Sequence, residues 1–195
     1  MVAPPVGVLA LQGAFARHVD ALRRCGVDGF EIRTADELAR CEALIIPGGE
    51  STTMVKLLET FELDEPLAKL LAAGMPTFGT CAGMILLASS ISDGRPDQRC
   101  FDAIDIDVRR NGYGRQINSF EADLDVDILG RPSLRAVFIR APLVERAGAE
   151  VEVLARYEGV PVLCRQDHVL VSSFHPELTD DDRLHRYFLD RMVGT

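Results

Sequence analysis

The stretch MPTFGTCAGMILLAS, residues 75–89, runs from a short apolar segment through a cysteine set between glycines into a second apolar segment. MPTF has the length and composition of a buried strand, and AGMILLAS reads as a helix, so the residues around Cys81 must make a sharp turn between the two. Such a turn exposes its side chain at the carboxyl end of a sheet and aims the first helical amide hydrogens towards it. Both effects favour a thiolate and give developing negative charge a place to bind. Taken alone, G-x-C-x-G over Gly79, Cys81 and Gly83 fits a nucleophile or a tight turn that happens to hold a cysteine.

The same strand-to-helix rhythm extends towards the amino terminus. VGVLAL at 6–11 predicts a strand, FARHVDALRRCG a helix ending at Gly26, FEIR at 30–33 a second strand and EALIIP at 42–47 a third. Helices are expected over 52–60 and 65–73, before MPTF. Strands separated by helices of this length need crossover connections, hence a largely parallel sheet covered on both faces. After residue 100 the rhythm changes. FDAIDIDV, RQINSFEADL, RAVFIRA, VEVLARY, VPVLCRQ and HVLVSSF supply strands joined mostly by turns, which predicts hairpins and an antiparallel extension. DDDRLHRYFLDRM at 180–192 closes the chain as an amphipathic helix with aspartates near its amino-terminal dipole. The expected class is α/β, a three-layer α/β/α sandwich with a mixed, largely parallel central sheet. SDGRPDQR at 92–99 reads as a loop inside one domain spanning 1–195.

Composition narrows the function. With 195 residues and 47% hydrophobic side chains, the chain can bury a substantial core. A formal charge of -9 and the lack of a dense Lys/Arg tract argue against a nucleic-acid partner. No apolar stretch is long enough to cross a bilayer, and MVAPPVGVLALQG lacks the basic region and cleavage site of a secretory signal, so a cytoplasmic protein with no membrane partner is expected. The cysteines at 25, 41, 81, 100 and 164 are odd in number and scattered, which suits a reducing compartment. Packing explains Cys25, Cys41 and Cys164, and Cys100 falls in a connection. Only Cys81 has a setting that invites chemistry.

Two further segments complete a candidate site. In SSFHPE, 172–177, His175 follows a predicted strand and Glu177 lies two positions on across Pro176. In extended backbone these two side chains share a side, so Glu177 could hold one ring nitrogen while the other faces a thiol. Cys81, His175 and Glu177 would then form a relay of nucleophile, acid/base and orienting carboxylate. Zinc could in principle bind the same three groups, but H-x-E is a poor metal spacing and no further clustered ligand appears. His18, His168 and His185 read as helix or surface histidines. In IIPGGESTTM, 45–54, Pro47 ends a strand and Gly48-Gly49 let the backbone pass close to a neighbouring site, with Ser51 or Thr52 opening the next helix. The run lacks the lysine and the length of a P-loop.

With GVLALQG, IIPGGESTTM, GTCAGMILLA, RRNGYGRQINSFE, VFIRAP and SSFHPELT in this order, the chain resembles class I glutamine amidotransferases. More narrowly, it resembles the family of glutaminase subunits of the two-component pyridoxal 5'-phosphate synthase, over residues 6–192. The resemblance implies that Cys81 attacks the side-chain amide of L-glutamine, releasing ammonia and leaving a glutamyl thioester that water cleaves. It implies His175 as base and leaving-group acid and Glu177 as its orienting partner. It implies Gly49, Glu50, Ser51, Arg110, Ile139 and Arg140 as glutamine-binding positions, and amides near Gly49 and Ala82 as the oxyanion hole. Either arginine could pair with the glutamine carboxylate. The implied partner is a (β/α)₈-barrel synthase subunit in a 12+12 complex, which combines the ammonia with a pentose phosphate and glyceraldehyde 3-phosphate. Pyridoxal phosphate would be the product of that assembly, so the resemblance implies no cofactor here. Two stretches depart from the family pattern: ISDGRPDQRCFDAID at 91–105, and Gly112-Tyr113.

Overall fold

A computed structural model of the chain describes residues 4–94, 98–110, 112 and 119–194. Its first half runs β1 (Val6–Leu9), α1 (Phe15–Arg24), β2 (Phe30–Ile32), α2 (Ala35–Leu38), β3 (Ala43–Ile46), α3 (Ser51–Thr60), α4 (Asp64–Ala72), β4 (Thr77–Thr80) and α5 (Ala82–Leu87). Then follow β5 (Ala88–Ile91), β6 (Ile104–Arg109), β7 (Ser119–Leu124), β8 (Leu134–Ile139), β9 (Leu143–Ala147), β10 (Glu152–Tyr157), β11 (Val160–Gln166), β12 (Val169–Ser172) and α6 (Arg183–Phe188).

The main sheet has seven strands in the order β10-β11-β12-β4-β3-β1-β2. From β12 to β2 every pair is parallel, whereas β11 and β10 continue the sheet antiparallel. This is the mixed, largely parallel sheet with an antiparallel extension that the spacing of strands and helices predicts. β5-β6-β9 and the β7-β8 hairpin form two smaller sheets.

Alternation along the central strands sorts the core into two sides. Val6 and Val8 of β1, Ala43 and Ile45 of β3, and Phe78 of β4 pack with Val19 and Leu22 of α1 and with Leu184 and Phe188 of α6. Leu9, Leu44 and Ile46 point the other way, against Met54, Leu58, Leu67 and the apolar face of α5. All four residues of β1 and of β3 are buried, as expected of parallel strands covered on both faces. Among the described residues, no helix is long and apolar enough to cross a membrane.

Several boundaries differ from the sequence expectation. The strand expected at 75–78 sits at Thr77–Thr80, so it carries Gly79 and Thr80 up to the edge of the cysteine. The helix expected through Ser89 stops at Leu87, and Ala88 opens β5 beside β6. A continuously apolar run has no periodicity to mark where helix yields to strand. α2 is an unexpected element, although its capping box, Thr34 with Glu37, is written in TADE. The last helix is shorter than 180–192 and ends in a π-turn over Leu189–Val193. Asp182, at the N-cap position, makes no side-chain cap bond, whereas Asp181 accepts from the backbone N–H of Arg183, the first residue of α6, at 3.1 Å. Asp182 accepts two 2.7 Å bonds from Arg24, and Asp181 also accepts from the Arg183 side chain.

Candidate active site

Three neighbouring parallel strands deliver the candidate residues to one edge of the sheet. Gly79 of β4 pairs with Ile46 of β3 on one side, and Thr80 pairs with Ser172 of β12 on the other. Gly48-Gly49 follow β3, Cys81 follows β4 and His175 follows β12. Ligands of open α/β sheets bind outside the carboxyl ends of the strands for this reason. The backbone N–H of Cys81 donates to Ser172 O at 2.8 Å, which locks the turn to its neighbour.

Cys81 itself is held at φ 49°, ψ -102°, a conformation that a non-glycine residue adopts only under constraint. Such a kink lifts the thiol out of the strand-helix path and lets α5 begin at the next residue. α5 then leans on β3 so closely that a Cβ on Gly83 would lie 2.2 Å from the carbonyl oxygen of Ile46. The second glycine of G-x-C-x-G therefore serves helix packing.

His175 stands three residues beyond the end of β12, and its backbone N–H donates to Val137 O of β8 at 2.8 Å. Its Nδ1 lies 2.8 Å from Glu177 Oε1. The pairing expected from extended backbone is present, but Pro176–Leu178 form a 3₁₀ turn, so a tight turn and not strand alternation brings the carboxylate back under the ring. With Nδ1 engaged by Glu177, the other ring nitrogen is left for the Cys81 thiol. Burial opposes a charge on His175, but hydrogen bonds to Cys81 and Glu177 outweigh it and raise its pKa to about 10. Glu177 is almost wholly buried. Burial opposes its ionisation, yet attraction to His18 and the bond to His175 hold its pKa below the usual carboxylate range. Gly48 lies flat against the imidazole, where a Cβ would come 2.3 Å from Cε1 of His175.

A cavity of about 140 Å³ opens over Cys81 and His175. Gly49, Glu50, Ser51, Arg110, Ile139 and Arg140, the positions expected to bind glutamine, line it together with Ile85. Ala82 opens α5 beneath it, with its amide in the first turn, where intrahelical partners are lacking. Glu50 accepts from the backbone N–H groups of Thr52 and Thr53 as the N-cap of α3, and its Oε1 takes Arg110 Nη2 at 3.0 Å. Burial works against its charge, but the threonine hydrogen bonds prevail and bring its pKa down to about 2. Glu50 therefore holds Arg110 over the cavity as a fixed anion. The thiol of Cys81 points towards Ile139 O at 3.7 Å, and Arg140 is held at φ 43° at the end of β8. Of the RNGYGRQ motif at 110–116, only Arg110 and Gly112 lie within the described residues.

Sequence reasoning missed several residues here. Ile85 is one helical turn beyond Cys81, a spacing that could have found it. Gln12, just past β1, accepts from Glu50 N–H at 3.0 Å, and Gln98 donates to Ser51 Oγ at 2.8 Å. The surface half of the expectation for the histidines fails at two positions. His18 and His185 are fully buried, and the ring of His18 reaches Glu177. His18 sits on the inner face of α1, which only the packed position of that helix reveals. Among the described residues, no group of three or more His, Cys, Asp or Glu is arranged to hold a metal ion. The cysteines are free thiols, and burial raises the pKa of Cys41 and Cys164 to about 12.

Comparison with known proteins finds relatives over nearly the whole chain. The chain is 56% identical over 190 residues to the pyridoxal 5'-phosphate synthase subunit PdxT of Parafrankia sp. (strain EAN1pec), covering 97% of this chain and 94% of that protein. It is 53% identical to the subunit of the same name from Mycobacteroides abscessus, covering 97% of each. A crystal structure described as a glutamine amidotransferase superposes with a TM-score of 0.90 at 50% identity, over 97% of this chain and 99% of that one. Residues 8–194 match the SNO glutamine amidotransferase family, to which this chain belongs.

Proposed function

We propose that the chain is the glutaminase subunit of a pyridoxal 5'-phosphate synthase, hydrolysing L-glutamine to L-glutamate and ammonia for a partner synthase subunit. The observation that carries this reading is the single cavity in which Cys81 and His175 meet Gly49, Glu50, Ser51, Arg110, Ile139 and Arg140. The names of the near-full-length relatives support the choice of partner.

In this reading His175 takes the proton of the Cys81 thiol, and the sulfur attacks the side-chain carbonyl carbon of glutamine. The amides near Gly49 and Ala82 receive the oxyanion, and donors placed there act on charge that exists only as the reaction proceeds. As the C–N bond breaks, imidazolium His175 gives its proton to the departing nitrogen, releasing ammonia and leaving a glutamyl thioester. Water then attacks the thioester, His175 takes a proton from it, and as the C–S bond breaks His175 returns that proton to the sulfur, giving glutamate and the free thiol. Glu177 keeps the imidazole oriented throughout. Arg110 or Arg140 pairs with the substrate carboxylate; Glu50 is already committed to Arg110 and its own helix. We place the enzyme in the cytoplasm as a single glutaminase domain docked on a (β/α)₈-barrel synthase in a 12+12 complex.

The test is ammonia release from L-glutamine by this chain with and without the synthase subunit. Glutaminase activity should rise when the synthase is added and vanish in Cys81→Ala. Equal turnover without the partner, or hydrolysis of an ester but not of glutamine, would overturn the proposal.

A further inference from the structure

The relay through Cys81, His175 and Glu177 uses one oxygen of Glu177. Its other oxygen, Oε2, is buried, and the described residues offer it no hydrogen bond within 3.5 Å that meets ordinary donor geometry. A buried carboxylate oxygen left this way destabilises the ionised form that the relay needs. The nearest polar atom of opposite character is Nε2 of His18, at 3.4 Å. The same nitrogen lies 3.3 Å from Thr80 Oγ1, at the strand end that leads into Cys81. On the far side of the ring, Nδ1 of His18 lies 2.9 Å from Nε2 of His185. Phe78 closes the pocket edge-on to both rings.

We propose that His18 is a positioning residue for this site: its Nε2–H faces Oε2 of Glu177 across the 3.4 Å contact and steadies the carboxylate, and His185 fixes the tautomer that allows it. Proton accounting gives the assignment. Only one proton fits between His18 Nδ1 and His185 Nε2. If His18 carried it, its Nε2 lone pair could take the Thr80 hydroxyl but would still face a carboxylate at 3.4 Å, and a buried N–H on His185 Nδ1 would have no acceptor. If His185 carries it, His18 presents N–H to Glu177, and only a bare lone pair on His185 Nδ1 stays unmatched. The second arrangement avoids the repulsion against the negative charge, which is the larger effect at low local dielectric. Burial lowers the pKa of His18 and takes that of His185 down to about 3, so both rings are neutral donor-acceptors. The charged or titratable groups around them are Glu177, His175 and Cys81 on the turns after β12 and β4, and Arg24 on α1. The outcome is one line of close polar contacts, from His185 on α6 through His18 on α1 to Glu177 and His175, so the docking of two helices on the sheet sets where the imidazole stands.

This inference rests on the glutaminase reading for its kinetic arm and on geometry alone for its spectroscopic arm. Ring-nitrogen NMR of the wild-type chain should show His18 protonated at Nε2, not Nδ1. In the complex with the synthase, His18→Leu should lower kcat for glutamine about 10- to 100-fold, the loss of one polar contact to a buried charged group, with KM changed by less than about 3-fold. His18→Gln, whose amide can place an N–H near the same point, should recover most of that loss. An Nδ1-protonated His18 overturns the proposal, as does a folded His18→Leu with wild-type kcat, a change in KM alone, or His18→Gln as impaired as His18→Leu. Should His18→Leu fail to fold, the tautomer decides. If the wild-type complex releases no ammonia from glutamine, the glutaminase reading fails and the ring-nitrogen result still judges the geometry.

Discussion

At the scale of single residues, the site depends as much on an absent side chain as on the reactive ones. Gly48 lies where a Cβ would sit 2.3 Å from Cε1 and 3.0 Å from Nδ1 of His175, and 3.3 Å from Cβ of Cys81. Its backbone does not occupy the left-handed region, so alanine would fit the main chain, clash with the imidazole and press on Cβ of Cys81. Gly48→Ala should therefore fold, yet displace His175 from the thiol and from Glu177. Since misplacing a catalytic group by about 1 Å can cost on the order of 100-fold, glutaminase kcat should fall at least that far. A Gly48→Ala protein with near wild-type turnover would show that the ring tolerates the displacement. Cys81, His175 and Glu177 were legible as a set because each stands in an unusual local setting. His18 was not, because a histidine on an amphipathic helix looks the same in sequence whether it faces water or a carboxylate.

At the scale of elements, the decisive packing is α5 against β3. A six-residue helix has little stability of its own, and all six residues from Ala82 to Leu87 are buried. Gly83 permits this by letting the helix backbone approach Ile46 O, where a Cβ would come within 2.2 Å. Gly83→Ala should push α5 off the sheet and destabilise the protein by about 1 to 3 kcal/mol, as overpacking does. Urea denaturation compared with wild type would measure it, and an unchanged midpoint would mean that α5 shifts freely. The second glycine of G-x-C-x-G thus belongs to the contact between helix and strand. Most described strand ends lie within about three residues of the expectation, whereas β5 was hidden in an apolar run shared with α5 and β9, over Leu143–Ala147, was not expected at all.

At the scale of the whole molecule, the buried histidines couple folding to pH in opposite directions. His185, with its folded pKa lowered from 6.5 to about 3, binds no proton in the native state where the unfolded chain does. Its contribution is present above pH 6.5 and is lost as pH falls towards 3; His18 acts in the same sense. Each such group costs about 1.4 kcal/mol per pH unit across its window. Glu177, lowered from 4.5, adds a loss below that value. His175, raised from 6.5 to about 10, contributes stability that is complete below pH 6.5 and gone once pH has risen through 10. Stability should therefore peak near pH 6.5 and fall on both sides. Urea midpoints measured from pH 4.5 to 9.5 would trace this curve, and His185→Phe should flatten its acid limb. A midpoint that does not change between pH 7 and pH 5 would contradict the neutral burial of His185.

The sequence by itself determined the alternation of strands and helices, the antiparallel turn of the second half, the cysteine at a strand-to-helix kink and the H-P-E pair. These features are written locally, in apolar runs, glycines and proline, so neighbouring residues suffice to read them. Only the tertiary structure decided which strand ends lie side by side, and with that the meeting of Gly48, Cys81 and His175 from loops far apart in the chain. It also decided that Glu177 is reached by a turn, and that His18 and His185 lie beneath it. Strand order and helix docking are settled by burying both faces of one sheet at once, and no local stretch of sequence carries that information.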